Sequence, residues 1–408
     1  MKNDSKRVLF VTNLHMWSMA ANKGGRAFIT TVESYINAGW SVFIVSTGGG
    51  IPDHVKAEAK CYEDSFPKID SLNNSRFGVV RYFYKRLRSF LCQRFYVKTL
   101  KQLYNNGIFL RGIIYGYEVE AVKAAAKLAK KYKMPLVTRF QGTIIANIDD
   151  TFVNRLRYYP HFDALATPAD LIIMTNDGTQ GLKTLKRLGN NSPTKFWMNG
   201  VSIPSLVTPE QRNEVRKKCG FEDKYVFLTV SRLVGWKRVD RAITAFSKIK
   251  DEIPNSYLHI IGDGAARASL EEVARTNGVE NNVVFHGAIE QTKVFDYMVA
   301  SDVFVSLYDL SNVGNPLLEA MSCGKPIITL DNGDTAMFIH NMENGIILSM
   351  NDIPLVQEMM LLLYKNGELA SKLGRSARQY AEDHFWSWKE RMNQELIEVG
   401  KQLSYIHD

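Results

Sequence analysis

YVFLTVSRLVGWKRV, residues 225–239, is the stretch on which the fold reading turns. Its first part, Tyr225–Val230, is a mostly apolar run without regular polar alternation, the pattern of a parallel strand covered on both faces. A short polar loop follows, and Val239–Lys248 then carries apolar residues at helical spacing. The same strand–loop–helix unit recurs in both directions. Upstream, strands are predicted at Val8–Thr12, Ser41–Ser46, Gly112–Tyr115, Leu136–Arg139 and Leu171–Thr175; downstream, at Tyr257–Ile261, Val283–Phe285, Val303–Leu307 and Pro326–Thr329. Helices are predicted at Ala27–Ala38, Glu118–Lys131, Ala266–Thr276 and Pro316–Met321. Such alternation predicts doubly wound parallel α/β sheets. It restarts after Pro204–Lys224, which reads as a linker plus a short helix, so two Rossmann-like domains are expected over residues 1–198 and 199–385. A long helical tail, from about Glu368 to Leu403, closes the chain.

Composition agrees with this and narrows the function. The chain has 408 residues, 45% hydrophobic and 23% charged, ordinary for a globular protein with two or three domains. Its net charge of +9 comes from one place. Between Ser71 and Tyr117 there is no acidic residue but there are Arg76, Arg81, Lys85, Arg86, Arg88, Arg94, Lys98, Lys101 and Arg111; elsewhere 42 basic residues balance 42 acidic ones. A nucleic-acid binder usually spreads its basic surface more widely, and no such module signature accompanies this patch. Cys61, Cys92, Cys219 and Cys323 form no CxxC pair, so neither a zinc site nor a disulfide framework is expected. The apolar run Val8–Val11 is too short for a signal-peptide core. No run approaches the roughly 18 apolar residues that span a bilayer. The expected setting is cytoplasmic, at most peripheral on the inner face of the membrane.

Four elements at strand ends could carry chemistry. Arg232 and Lys237 leave the carboxyl end of Tyr225–Val230 just before a helix start, where open α/β sheets bind ligands and where anions are favoured. Taken alone, two such cations read as solvated loop residues. Gly262 and Gly264 follow Tyr257–Ile261 and permit close backbone approach. His286 and Gly287 close the next strand and precede Ala288 and Ile289; by itself His286 reads as packed or solvent-facing. Finally Ser311, Asn312, Gly314 and Asn315 lead into a helix opened by Pro316, with Glu319 one turn in. Glu319 reads either as an acid near a helix start or as a carboxylate for ribose hydroxyls.

As a set, these elements resemble the donor domain of glycosyltransferase family 4, a retaining family with the GT-B fold, in which two Rossmann-like domains face a cleft. The likeness extends over almost the whole chain: SRL…GWKR, IIGDGAARASLE, VVFHGAIE, NPLLEAMSCGKPII and MENGIIL in the second half, NKGG at Asn22–Gly25, NGV at Asn199–Val201, and ARQYAEDHFWSW at Ala377–Trp388. It implies that Arg232 and Lys237 hold the donor diphosphate and Glu319 the ribose, with the backbone at Ala288–Ile289 meeting the base. Gly24, Gly25, Gly262, Gly264, Ser311, Asn312, Gly314 and Asn315 would line the donor, and Gln141 and Tyr117 the sugar or acceptor side. The tail from about residue 386 to 408 would cross back onto the first domain.

Two positions depart from the family. The family usually has two glutamates separated by seven residues; here Ser311 stands at the first position and only Glu319 remains, and Gln141 precedes Gly142 where histidine is usual. The resemblance further implies transfer from a nucleoside-diphosphate sugar, UDP by family weight, to an acceptor hydroxyl with retention, in surface polysaccharide or glycolipid assembly. No Asp-x-Asp motif stands out, so no metal and no cofactor is expected. A nucleotide-sugar sensor or partner subunit, and a GT-B sugar-nucleotide epimerase, are the alternatives. The basic and aromatic segment Arg81–Tyr104 reads as two short helices, or one broken near Gln93. It serves either as an ordinary solvated face or as a dock on anionic membrane that carries a lipid-linked acceptor.

Overall fold

The structure, a computed structural model, describes residues 6–16, 26–66 and 78–404. They divide into two compact units: one of residues 1–176, 180–198 and 389–408, the other of residues 177–179 and 199–388. The first holds a parallel sheet of β1 (Arg7–Thr12), β2 (Ser41–Ser46), β3 (Lys60–Glu63), β4 (Ile113–Tyr117), β5 (Leu136–Phe140), β6 (Leu171–Thr175) and β7 (Thr194–Trp197), in the order β3-β2-β1-β4-β5-β6-β7. The second holds β8 (Tyr225–Val230), β9 (Ser256–Ile261), β10 (Val283–Gly287), β11 (Val303–Ser306), β12 (Ile327–Asp331) and β13 (Ile346–Ser349), in the order β10-β9-β8-β11-β12-β13. Both are doubly wound α/β sheets, as expected, and the fold is GT-B. Sequence reading misses β3, β7 and β13. All three are four-residue edge strands with at most one buried residue, so they lack the apolar run of their covered neighbours.

Each sheet reverses its strand order once, between β1 and β4 and between β8 and β11. Helices leave opposite faces at that point, which opens a crevice at the carboxyl ends of the two strands. The second unit's core is built of Phe227, Ile243, Phe246, Leu258, Val305 and Ile328. In the first unit, one face of the sheet packs Leu9, Val11, Phe43 and Ile114 against Cys92, Tyr96, Leu100 and Leu103. The other face is aromatic, with Phe10 5.3 Å from Tyr35 and 4.8 Å from Tyr115 between ring centres.

The segment expected as two helices, or one broken near Gln93, is a single helix, Gly78–Asn105. Its buried stripe is Ser89, Cys92, Tyr96, Thr99, Leu100 and Leu103, in steps of three and four. Counting only apolar residues hides that stripe, because three of its members are small or polar. Gln93 is no break: its side-chain amide donates to the Glu120 backbone carbonyl and carboxylate, and Ser89 Oγ donates to the same carboxylate at 2.6 Å. The tail, in turn, is two helices, Gly367–His384 and Trp388–Lys401. Between them Val201 N donates to the Trp386 carbonyl at 2.9 Å. A Cβ at Gly200 would lie 2.3 Å from Trp388 Cα, so the glycine of NGV is what allows this passage.

The last helix is held to the first unit by a buried carboxylate. Glu395 is fully buried and accepts from Arg139 Nη1 at 2.9 Å, Arg391 Nη1 at 3.0 Å and Tyr115 Oη at 2.7 Å. Burial alone would raise its pKa, but Arg139 and Arg391 hold it below the usual carboxylate range. Arg391 also lies over the Trp197 ring at 4.7 Å and donates to the Met198 carbonyl. Replacing Glu395 by Gln leaves two buried guanidinium groups without a counter-charge, which costs about 3–5 kcal/mol in denaturant unfolding at neutral pH. The folded pKa is depressed, so this contribution is complete above the unfolded value of about 4.3 and fades as pH falls through the folded one. The gap between wild type and Glu395→Gln therefore narrows in acid.

Candidate active site

In the second unit the loops that follow β8, β9, β10 and β11, and the helix after β11, carry most of the residues singled out above. The loop Ser231–Arg238 leaves β8 and contains a short 3-10 turn, Gly235–Lys237. Arg232 is exposed, and among the described residues neither it nor Lys237 has an ion-pair partner within 4 Å. The Lys237 ammonium instead sits over two aromatic faces, 4.1 Å from the Trp236 ring centre and 3.7 Å from that of Tyr308. Burial, then the like charge of Arg232, brings its pKa down to about 7, against an opposing pull from Asp177. The neighbouring arginines differ: Arg238 pairs with Asp240 and Asp309, and Arg241 with Asp309 at 2.6 Å. The crevice therefore carries two cations left open to an anion beside two that are neutralised.

The glycines at the end of β9 serve the Arg232 loop. Gly262 has φ +129 and a Cβ there would lie 1.8 Å from the Ser231 carbonyl oxygen; at Gly264, φ +157, it would lie 2.4 Å from that of Leu233. The space a side chain would fill belongs to the loop from β8, which is pinned there by Leu233 N donating to Asp263 O at 3.0 Å. Ala288 and Ile289 lie half-buried just past β10. His286 is packed: its Nε2 is 2.7 Å from Nδ1 of His259, and its ring centre lies 4.5 Å from that of Tyr297.

From β11 the chain runs through Ser311–Gly314 into the helix Asn315–Ser322, with Pro316 in its first turn. Glu319 lies beyond that first turn and accepts from Gln291 Nε2 at 2.6 Å, which ties the carboxylate to the helix Gln291–Ala300. Asn312 is fully buried and shapes the loop: its amide oxygen takes Tyr308 N at 3.0 Å, and its amide nitrogen donates to Leu330 O and Asn332 Oδ1. Ser311 is also buried; its hydroxyl donates to the Asp177 carbonyl at 2.7 Å and accepts from Val313 N. Gly314 and Asn315 remain half-exposed at the helix start.

In the first unit, Tyr117 and Gln141 meet at the carboxyl ends of β4 and β5, with Gln141 Nε2 donating to Tyr117 Oη at 2.7 Å. Tyr117 is buried, and burial pushes its pKa up to about 12, so it stays a neutral phenol. Gly24 and Gly25 lie outside the described residues. Two acids here escaped sequence reading. Glu118 adopts φ 70, ψ 159, a region that is essentially glycine's, and its Oε1 accepts from Gln141 N at 2.7 Å. No sequence signal marks a positive φ at a glutamate. The other is Asp177, which follows β6 and belongs to the second unit.

Residues 211–380 match the family described as Glycosyl transferases group 1. An uncharacterized glycosyltransferase of Methanocaldococcus jannaschii is 24% identical over 276 residues, covering 66% of this chain and 68% of that protein. A GDP-mannose-dependent monoacylated alpha-(1-6)-phosphatidylinositol monomannoside mannosyltransferase of Corynebacterium glutamicum is 27% identical over 246 residues, covering 58% and 63%. The chain spans 63%, 60%, 50% and 48% of the length of four of the curated relatives it matches. Among solved structures, Anabaena HepE in complex with UDP-glucose superposes with a TM-score of 0.73 at 18% identity, covering 98% of this chain and 99% of that one. WaaG, a glycosyltransferase involved in lipopolysaccharide biosynthesis, superposes at 0.69 with 18% identity, covering 94% and 98%.

The backbone at Glu118 gives a test that needs no substrate. Glu118→Ala removes the carboxylate and keeps the strain, whereas Glu118→Gly removes both. The glycine variant is expected to be the more stable of the two by about 1–3 kcal/mol in thermal or denaturant unfolding.

Proposed function

From the match of residues 211–380 to the group 1 glycosyl transferases and the GT-B fold, we propose that this protein moves a sugar from a nucleoside-diphosphate donor to an acceptor hydroxyl, with retention at the anomeric carbon. The observation that carries this reading is the pair of un-neutralised cations, Arg232 and Lys237, at the crevice where β8 and β11 end. As the glycosidic bond to the donor stretches, negative charge grows on the leaving diphosphate and positive charge on the sugar ring. Arg232 and Lys237 stabilise the first from fixed positions, Lys237 partly out of water, where such stabilisation is strongest. They do the work that a metal does elsewhere, and no metal is required. Glu319, held by Gln291, receives the ribose hydroxyls, the Ala288–Ile289 backbone borders the base, and Gln141 with Tyr117 faces the sugar or acceptor. UDP is the expected nucleotide, as in the HepE complexes.

The acceptor is lipid-linked in this reading. The first half of the helix Gly78–Asn105 exposes Tyr82, Phe83, Leu87 and Phe90 beside Lys85 and Arg94. A second helix, Phe152–Arg157, adds exposed Phe152, Val153 and Leu156. Arg86 joins the two, donating to the Leu156 carbonyl at 3.0 Å and lying 4.1 Å over the Tyr159 ring. An apolar surface fringed with cations suits an anionic bilayer, each cation contributing about 1 kcal/mol near it. In this reading the attachment is to the membrane surface; among the described residues no helix is long and apolar enough to cross a membrane.

Two measurements check this. With a panel of UDP- and GDP-sugars, wild-type protein transfers or hydrolyses at least one, and Lys237→Ala lowers turnover about 100- to 1000-fold, by analogy with the loss of an oxyanion donor; nucleotide binding without turnover across the panel would make the protein a sensor. In vesicle sedimentation the protein pellets with phosphatidylglycerol-containing vesicles and not with neutral ones, and Phe83→Ser with Phe90→Ser releases it. Equal binding to both kinds of vesicle removes the membrane reading.

A further inference from the structure

We propose that Trp236 and Tyr308 are the positioning residues for Lys237: their ring faces fix its ammonium beyond β8 and leave its charge and its N–H donors for the donor diphosphate. The inference rests on Lys237 being a diphosphate cation, as read above.

The two rings come from different loops of the second unit. Lys237 Nζ lies 4.1 Å from the ring centre of Trp236, its neighbour in the chain, and 3.7 Å from that of Tyr308, just past β11. The rings stand edge to face, 6.3 Å apart between centres and at 83°, so they make a corner with the ammonium against both walls. Both distances fall inside the roughly 6 Å over which a ring quadrupole attracts a cation. Among the described residues the ammonium meets no acid within 4 Å. A carboxylate in place of the rings would accept some of the three ammonium hydrogens and cancel the charge. A ring face restrains the group and carries no net charge.

The corner is itself anchored. Tyr308 is buried, and its hydroxyl donates at 3.0 Å to the carbonyl of Val230, the last residue of β8. That bond fixes the ring against the strand from which the Lys237 loop departs. The next residue completes the arrangement: Asp309 N donates to the Trp236 carbonyl at 2.9 Å, tying the Gly235–Lys237 turn to the exit of β11. The Asp309 carboxylate meanwhile takes Arg241 at 2.6 Å and Arg238 at 3.4 Å. Tyr308 and Asp309 together sort the cations, the acid closing Arg238 and Arg241 and the ring keeping Lys237 open. Trp236 is 38% exposed and lies outside the unit's apolar core, so burial of apolar area does not account for its place. The role of both rings is positional, since they act through Lys237.

Two pairs of variants separate ring from bulk. Trp236→Leu removes a ring face and Trp236→Phe keeps one; Tyr308→Leu removes the other, and Tyr308→Phe gives up only the hydroxyl. With the donor that the wild type turns over, each leucine variant lowers kcat about five- to twentyfold, and each phenylalanine variant keeps most of it. In the Lys237→Ala background Trp236→Leu has almost no further effect. UDP affinity by calorimetry follows the same pattern: weaker in Trp236→Leu, recovered in Trp236→Phe, and insensitive to Trp236→Leu once Lys237 is alanine. Thermal unfolding is the control, and Trp236 variants are expected to match the wild type; should Tyr308→Leu fail to fold, the Trp236 pair decides. Equal kcat and equal UDP affinity for Trp236→Leu and Trp236→Phe, or a Trp236→Leu loss that adds in full to that of Lys237→Ala, overturns the inference. Failure of the wild type to turn over any donor, or an unimpaired Lys237→Ala, would instead overturn the proposed function, and the UDP titrations still decide the role of Trp236 in that event.

Discussion

A parallel sheet sends every strand out through the same edge, and a doubly wound one must reverse direction once. In the second unit that single constraint fixes where chemistry can happen. β8 and β11 are neighbours, their crossovers leave on opposite faces, and the loops that follow them cannot fill the crevice between. Arg232 and Lys237 stand on one of those loops, and Ser311–Asn315 on the other. Even the glycines answer to it: Gly262 and Gly264 lack side chains so that the loop from β8 can lie against the end of β9. They hold the cations in place from behind.

The chain treats charge in two opposite ways. At Glu395 two guanidinium groups and a phenol surround one carboxylate with no exposure, and the surplus cation is tolerated because Arg391 also meets the Met198 carbonyl and the Trp197 ring. That arrangement is closed and holds a helix. At the β8–β11 crevice Arg232 and Lys237 have no acid within 4 Å among the described residues, and the lysine is cradled on aromatic faces that attract an ammonium without neutralising it. An open cation is costly in an empty site and favourable once an anion arrives, so a binding site is built from the second arrangement and a scaffold from the first.

Much of this was legible from residue order. Covered parallel strands are apolar throughout, so β1, β2, β6 and β8 could be placed closely; edge strands are half-wet, so β3, β7 and β13 could not. The helix Gly78–Asn105 was misread because burial selected Ser89, Cys92 and Thr99 for their size, and a count of apolar residues passes over them. The places of Arg232, Lys237 and Glu319, on the loop after β8 and in the helix after β11, were legible because they directly follow apolar strand runs. Asp177 and Glu118 were not, since one takes part in a unit distant in the chain and the other is distinguished only by a backbone angle.

The amino-acid sequence by itself determined the class of fold, two doubly wound α/β units, and which polar residues stand on strand-end loops, because hydrophobic period and loop position are local properties. Which charges are open and which are closed was decided only by the tertiary structure. Arg238 and Arg241 look no different in sequence from Arg232 and Lys237, yet Asp240 and Asp309 neutralise the first two and leave the others. The reason is that Coulomb energy depends on distance in space and on exclusion of water, and neither is set by distance along the chain.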